Sequence, residues 1–194
     1  MIAQQEKSQI IIIDMQEKLA SVMPNEIINK MMRRFEIIQR ASLELGIPQV
    51  FTEQYPKGLG HTLDKMQPLL NDARYVEKTV FDCTNEPAFN KCLVRTRSQV
   101  FLLGMEAHIC ILQTALSLLK KGKDVFIIED LIASRNISNK QNALNRLREA
   151  GCIITNTESV IFEWIKSSEH DAFRNIALLE YILLSRSTQF STNV

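Results

Sequence analysis

The 194-residue sequence predicts an α/β fold with a mainly parallel sheet, and three observations carry that prediction. Short runs rich in Ile, Val and Phe recur along the chain, each of strand length. Most of them are apolar throughout instead of alternating, the pattern of strands covered on both faces. Between them lie segments with apolar residues at helical spacing, so that strand and helix alternate along the chain.

Taken in order, "QIIIID" sets a first strand at Gln9–Asp14. Residues Asn25–Leu45 follow as a helix that ends in "LGIP", a glycine stop with proline beyond it. A second strand spans Gln49–Glu53, and "GHTLDKMQPLL" after it reads as a loop with a short helix. A weaker strand lies around Tyr75–Val80, then a helix at Glu86–Arg95 and a strand at Val100–Gly104. The helix Ile109–Lys121 closes in "KKGKD", with cations in its last turn and a glycine after them. A strand at Asp124–Glu129, a helix at Asn139–Ala150 closing in "REAGC", and a strand at Gly151–Thr155 complete the set. The segment "HDAFRNIALLEYILLSRSTQFSTNV" starts as an amphipathic helix and ends polar, which predicts a C-terminal helix and a frayed tail from about residue 170. Without a linker, repeat or low-complexity tract, residues 1–194 read as one domain. Right-handed crossovers are expected.

Composition narrows the function classes. With 23 basic and 22 acidic residues the formal charge is +1, which leaves no electrostatic footprint for nucleic acid or an anionic membrane. No apolar run approaches the ~20 residues of a membrane span, and the polar start "MIAQQEKSQ" is no secretory signal. Cys83, Cys92, Cys110 and Cys152 stand far apart with no CxxC pair, against both zinc and a disulfide framework. A reducing cytoplasm and a small-molecule substrate are the expected setting.

In open parallel sheets, ligands bind at the carboxyl ends of the strands. Asp14 stands at the first such end, Glu53, Gln54 and Tyr55 at the second, Lys78 on the weak strand, and "GMEAHIC" after Val100–Gly104. Cys110 thus falls in the first turn of a helix, where the positive helix end lowers a thiol pKa. A carboxylate within reach can take the thiol proton and return it to a leaving amine. A lysine beside that carboxylate holds it ionised, although the carboxylate itself raises the thiol. Free N–H groups at the helix start can receive an oxyanion. Asp14, Lys78 and Cys110 together therefore make a metal-free acyl-transfer site. Each also has a plain structural use: Cys110 as a small core residue, Asp14 as a helix cap, Lys78 as a solvated side chain. His108 reads as a polar lining or capping residue.

"IIIIDMQ", "VEKTVFD" and "LLGMEAHICILQTA", in that order, resemble the isochorismatase-like cysteine hydrolases, from Gln9 to about Phe162. The loop "TEQYPKGLG" and the "SR" at Ser134–Arg135 look most like the isochorismatase domain-containing subgroup. The resemblance implies a three-layer α/β/α sandwich on a six-stranded, mainly parallel sheet. It implies Cys110 as nucleophile, Asp14 and Lys78 as its partners, and a thioester intermediate formed from a small amide or similar carbonyl. It implies a cis peptide at Met105–Glu106, an oxyanion hole from the N–H groups of Glu106 and Cys110, and a Glu106 side chain turned away from the nucleophile. Gln54, Tyr55 and His108 become the candidates for the substrate pocket. Relatives that bind a metal use aspartate and histidines after the second strand. This chain offers Glu53 and His61 there, so neither metal nor cofactor is expected. Family members often assemble as homo-oligomers, and Phe173–Leu184 is the candidate contact. A non-catalytic scaffold and a redox-responsive thiol protein are the alternatives on the same fold.

Overall fold

The structure, a computed structural model, describes residues 1–185, with side chains as far as Leu179. The frayed tail expected beyond the last helix lies outside the described residues. Six strands, β1 (Ser8–Ile13), β2 (Gln49–Gln54), β3 (Arg74–Lys78), β4 (Gln99–Met105), β5 (Asp124–Ala133) and β6 (Ile153–Thr155), form one sheet in the order β3-β2-β1-β4-β5-β6. Every pairing is parallel. The helices are α1 (Glu17–Ser21), α2 (Asn25–Glu44), α3 (Pro56–Leu59), α4 (Pro87–Cys92), α5 (Leu112–Lys120), α6 (Ile137–Glu149), α7 (Thr157–Ile165) and α8 (Phe173–Ser185).

The unbroken isoleucine run of β1 has a direct structural use. Ile10 and Ile12 join Phe101, Leu103, Phe126 and Ile128 in a core shared with Phe35 and Ile38 of α2 and Trp164 of α7. Ile11 and Ile13 face the other way, into a core with Leu102, Ile127, Ala115 of α5 and Leu147 of α6. Both faces of the sheet are dry, and burying each such side chain contributes roughly 1.5–3 kcal/mol. The result is the three-layer sandwich implied by the sequence.

In α2, Met31, Phe35, Ile38 and Ser42 are buried at helical spacing, and Gly46 ends the helix at φ 62°. Side-chain caps start two later helices. Asn136 accepts from the Ser138 N–H and Asn156 from the Ser159 N–H, each at 2.9 Å. The N-terminal half of α8 packs on its own domain through Ile176, which is fully buried, while Leu178 is exposed.

The observed elements depart from expectation in four places. β5 continues past Glu129 to Ala133 across a register shift opposite Leu102 and Gly104. Two acidic residues in mid-strand hid that continuation: Asp130 accepts from Arg34 at 2.6 Å and from the Thr157 N–H at 3.0 Å. β3 stops at Lys78, short of Val80. Helix α7 was not anticipated, and neither were the short α1 and α3. The helix carrying Cys110 begins earlier than Ile109, with a π-helical turn at Ala107–Ile111.

The chain runs outward from β1 to β2 and β3, then crosses back to add β4 on the other side of β1. The carboxyl ends of β1 and β4 are therefore the point where the winding reverses, and a crevice opens there. Gly104 lets these strands approach closely: at φ 121°, a Cβ on it would run into the Ile13 carbonyl oxygen.

Candidate active site

Asp14 leaves β1 in the left-handed region at φ 52°, and its N–H donates to the Thr52 carbonyl at 3.1 Å. This bend turns the carboxylate beneath the crevice. Thr52 Oγ1 donates to Asp14 Oδ1 at 2.6 Å, and Lys78 Nζ donates to Oδ2 at 2.7 Å. Both charged side chains are fully buried. Lys78 Nζ also donates to Gln54 Oε1 at 2.7 Å, and Gln54 Nε2 donates to the Thr79 carbonyl at 2.7 Å. The carboxamide of Gln54 is thereby oriented with its oxygen toward the lysine. Cys110 lies close enough to the same Asp14 carboxylate for the two to raise and lower each other's pKa, and both residues line one cavity. Three residues separated by 64 and 32 positions thus meet at one carboxylate.

Cys110 lies in the π turn that opens into α5. The Glu106 carbonyl accepts from the N–H groups of Ile109 and Ile111, at 3.1 and 3.4 Å, passing over that of Cys110. The Met105–Glu106 peptide is cis. Above the thiol lies a cavity of about 340 Å³. Asp14 and Cys110 line its base, and Leu19, Val22, Leu59, Phe81 and Ile109 supply apolar wall. Lys18, Gln54, Glu106 and Arg135 add polar groups.

Of the three residues expected to line the pocket, only Gln54 does so. Tyr55 has φ 40° and starts α3, with its ring lying against Gly58 and half exposed. His108 Nδ1 meets Ser134 Oγ at 3.0 Å and Nε2 meets Asn139 at 3.4 Å, tying the turn to α6 and the segment before it. Residues two apart on a helical turn point in divergent directions, so His108 cannot follow Cys110 into the cavity. Glu106 also borders the cavity, and its buried carboxylate has Oε1 3.1 Å from Arg135 Nε and Oε2 3.3 Å from His108 Nδ1. Arg135 and Lys18 are polar contributors that the sequence did not point to; the quoted "SR" was the only signal for Arg135, and Lys18 had none.

Electrostatics correct the expected thiolate. Burial pushes the Cys110 thiol up, the adjacent Asp14 charge pushes it further, and Lys78 offsets only part. The resting site therefore holds a neutral thiol. Burial likewise raises Asp14, against the lowering effects of Lys78, Thr52 and Cys110. Burial alone would lower Lys78, but the Asp14 carboxylate and the neighbouring thiols outweigh it, so the ammonium stays charged. A raised carboxylate beside a neutral thiol is a better proton acceptor than a free aspartate.

The loop after β2 is occupied structurally. Burial opposes the Glu53 charge, yet donors hold its pKa below the ordinary value: the Thr62 N–H at 2.6 Å, Thr62 Oγ1 at 2.8 Å, His61 at 3.1 Å and the Tyr75 hydroxyl at 3.0 Å. Among the described residues no cluster of three His, Cys, Asp or Glu suited to a metal is found.

The model of the isochorismatase domain matches residues 8–159, most of the chain. The chain belongs to the isochorismatase family. It is 37% identical over 178 residues to isochorismatase family protein 1B of Dictyostelium discoideum, covering 88% of this chain and 84% of that one. A structure described as MAR1 ribonuclease from Caenorhabditis elegans superposes with a TM-score of 0.82 at 33% identity, over 92% of each chain. The Escherichia coli YcaC product, described as an octameric hydrolase of unknown specificity, shares the fold with a TM-score of 0.86 at 19% identity, covering 98% of this chain and 97% of that one. Membership agrees with the hydrolase class expected from the sequence.

Proposed function

We propose that this isochorismatase-family protein is a cysteine hydrolase of small amides or similar carbonyl compounds. What supports the reading is the single buried carboxylate of Asp14, which accepts from Thr52 and Lys78 and shares one cavity with Cys110. Asp14 takes the thiol proton as Cys110 Sγ attacks the carbonyl carbon. The oxyanion of the tetrahedral intermediate meets backbone N–H groups at the start of the turn, those of Glu106 and Cys110. The C–N bond then breaks, and Asp14 returns its proton to the departing amine. A water molecule, deprotonated by Asp14, cleaves the thioester, releasing the acid and restoring the thiol. Lys78 acts by holding Asp14 ionised and in place, and Gln54 by holding Lys78.

The balanced charge of the chain and the narrow, partly apolar cavity favour a small molecule over RNA. Four free cysteines suit a reducing, cytoplasmic setting, and no helix among the described residues is long and apolar enough to cross a membrane. The exposed Leu178 on α8 supports a subunit contact there, and light scattering at micromolar concentration returning a monomer would remove that part. The catalytic reading is tested with a panel of small amides on the wild-type and Cys110→Ala proteins. Cys110-dependent release of ammonia supports it, and release that persists in C110A rejects it.

A further inference from the structure

A second cavity, of about 250 Å³, lies at the amino end of the sheet, the edge opposite Cys110. It sits between the last turn of α2, the turn into β2 and the segment before β3. Ile47, Pro48 and Leu69 give it apolar wall. Ser42 and Gln49 are its buried polar residues, 0% and 6% exposed. The Ser42 hydroxyl spends its one proton on the Gln39 carbonyl at 2.9 Å, so its oxygen accepts from Gln49 Nε2 at 2.6 Å. That fixes the orientation of the Gln49 carboxamide and leaves Oε1 with no partner among the described residues. Gln39 Nε2 is unpartnered as well, but Gln39 does not line the cavity. A buried carbonyl oxygen without a donor is uncommon in folded proteins and marks a place for one.

The charge around this opening is negative. Asp72 is exposed at the cavity, and no Lys, Arg or His stands among the lining residues to pair with it. Arg74, two residues further on, gives Nη1 to the Cys92 carbonyl at 3.0 Å. The 20-residue α2 ends here with no basic residue in its last turn, so no cation of its own meets the negative end of its dipole. A buried unpartnered acceptor, a negative rim and an apolar wall describe a small organic cation carrying N–H donors.

We propose that this cavity is a second binding site, separate from Cys110, that takes a small primary alkylammonium ion. Its N–H groups go to Gln49 Oε1 and toward the Asp72 carboxylate, and its alkyl chain lies on Ile47 and Leu69. An anion would face Asp72 and the helix end with no cation to receive it, and a neutral amide would gain nothing from Asp72. The site makes no use of Cys110 and stands apart from the catalytic reading.

The probe is n-propylammonium chloride, with sodium propionate, propionamide and sodium chloride as controls at matched ionic strength. Binding is read from chemical shifts of the whole chain labelled with nitrogen-15. The expected result is a saturable shift of the Gln49 side-chain amide and of the Ser42, Gly46 and Ala73 backbone amides, with none at the Cys110 cavity. A Kd of about 1 mM is expected, within the efficiency ceiling of so small a ligand. Asp72→Asn, at an exposed position, should weaken binding about threefold, and added salt should weaken the wild type more than D72N. Gln49→Leu, which removes the acceptor, should abolish saturation. Propionate or propionamide binding as tightly as propylammonium, shifts confined to the Cys110 cavity, or an affinity unchanged in D72N or in folded Q49L overturns the proposal. Failure to saturate at about ten times the expected Kd shows that water alone serves Gln49, and overturns it as well. If Q49L does not fold, D72N and the neutral control decide.

Discussion

Replacing Lys78 with methionine removes the ammonium that faces Asp14 at 2.7 Å and keeps most of the aliphatic stem. Both charges are fully buried, so the variant strands a carboxylate where water cannot reach it. Breaking a buried pair from one side costs about 3–5 kcal/mol, because the remaining charge keeps its desolvation penalty and loses its partner. For a domain of this length, each kcal/mol lowers the melting temperature by about 2–4 °C, so Lys78→Met should lose roughly 6–20 °C. Burial then drives Asp14 toward its protonated form, and the base is lost along with the stability. Removing both charges together should cost much less than the two single losses added. In Asp14→Asn/Lys78→Met the asparagine still accepts from Thr52 and still tolerates the left-handed bend. Urea unfolding of wild type, both single variants and the double variant closes the cycle. The expected coupling is at least about 2 kcal/mol. Single losses that add to within about 0.5 kcal/mol would refute the claim that the pair is one electrostatic unit.

Three further outcomes follow from the same geometry. Unfolded thiols release their protons from about pH 9, whereas burial holds Cys83 and Cys152 up to about 12 and raises Cys110 as well, so the folded state binds more protons above pH 9. Stability should therefore be full below pH 9 and fall above it, by up to about 1.4 kcal/mol per pH unit for each buried thiol; a urea midpoint equal at pH 8 and pH 10 would contradict this. Iodoacetamide at neutral pH should label the part-exposed Cys92 ahead of Cys110, which the free protein keeps buried and neutral, and peptide mapping that finds Cys110 labelled first would restore the resting thiolate. Gly104→Ala should cost about 3 kcal/mol or more, since the new Cβ meets the Ile13 backbone at a positive φ, and an unchanged melting curve would show that β1 and β4 are not so closely apposed.

The fold was legible because burial on both faces leaves a plain mark, and the four consecutive isoleucines of β1 serve two separate cores. The same rule concealed the second half of β5, where Asp130 is satisfied by Arg34 and Thr157 within the strand and so looks like a loop residue in one dimension. Asp14, Lys78 and Cys110 were legible as strand-end residues, since a parallel sheet brings its carboxyl ends to one edge. Side-chain direction within the turn was not. His108 and Cys110 are two positions apart, and the path of the backbone sends one toward Ser134 and the other toward Asp14. The protonation of Cys110 was also out of reach, because helix position favours the thiolate while burial and Asp14 oppose it, and their balance depends on how tightly the thiol is packed.

The central claim, that Cys110 attacks after giving its proton to Asp14, is tested most directly by trapping the acyl group. The protein is quenched in acid during turnover of an amide or an activated ester, and its peptides are mapped by mass spectrometry. One acyl mass is expected on the peptide containing Cys110, labile to hydroxylamine, absent in C110A and reduced at least about a hundredfold in Asp14→Asn. An acyl group on Cys83, Cys92 or Cys152, or turnover in C110A at the wild-type rate, would contradict it.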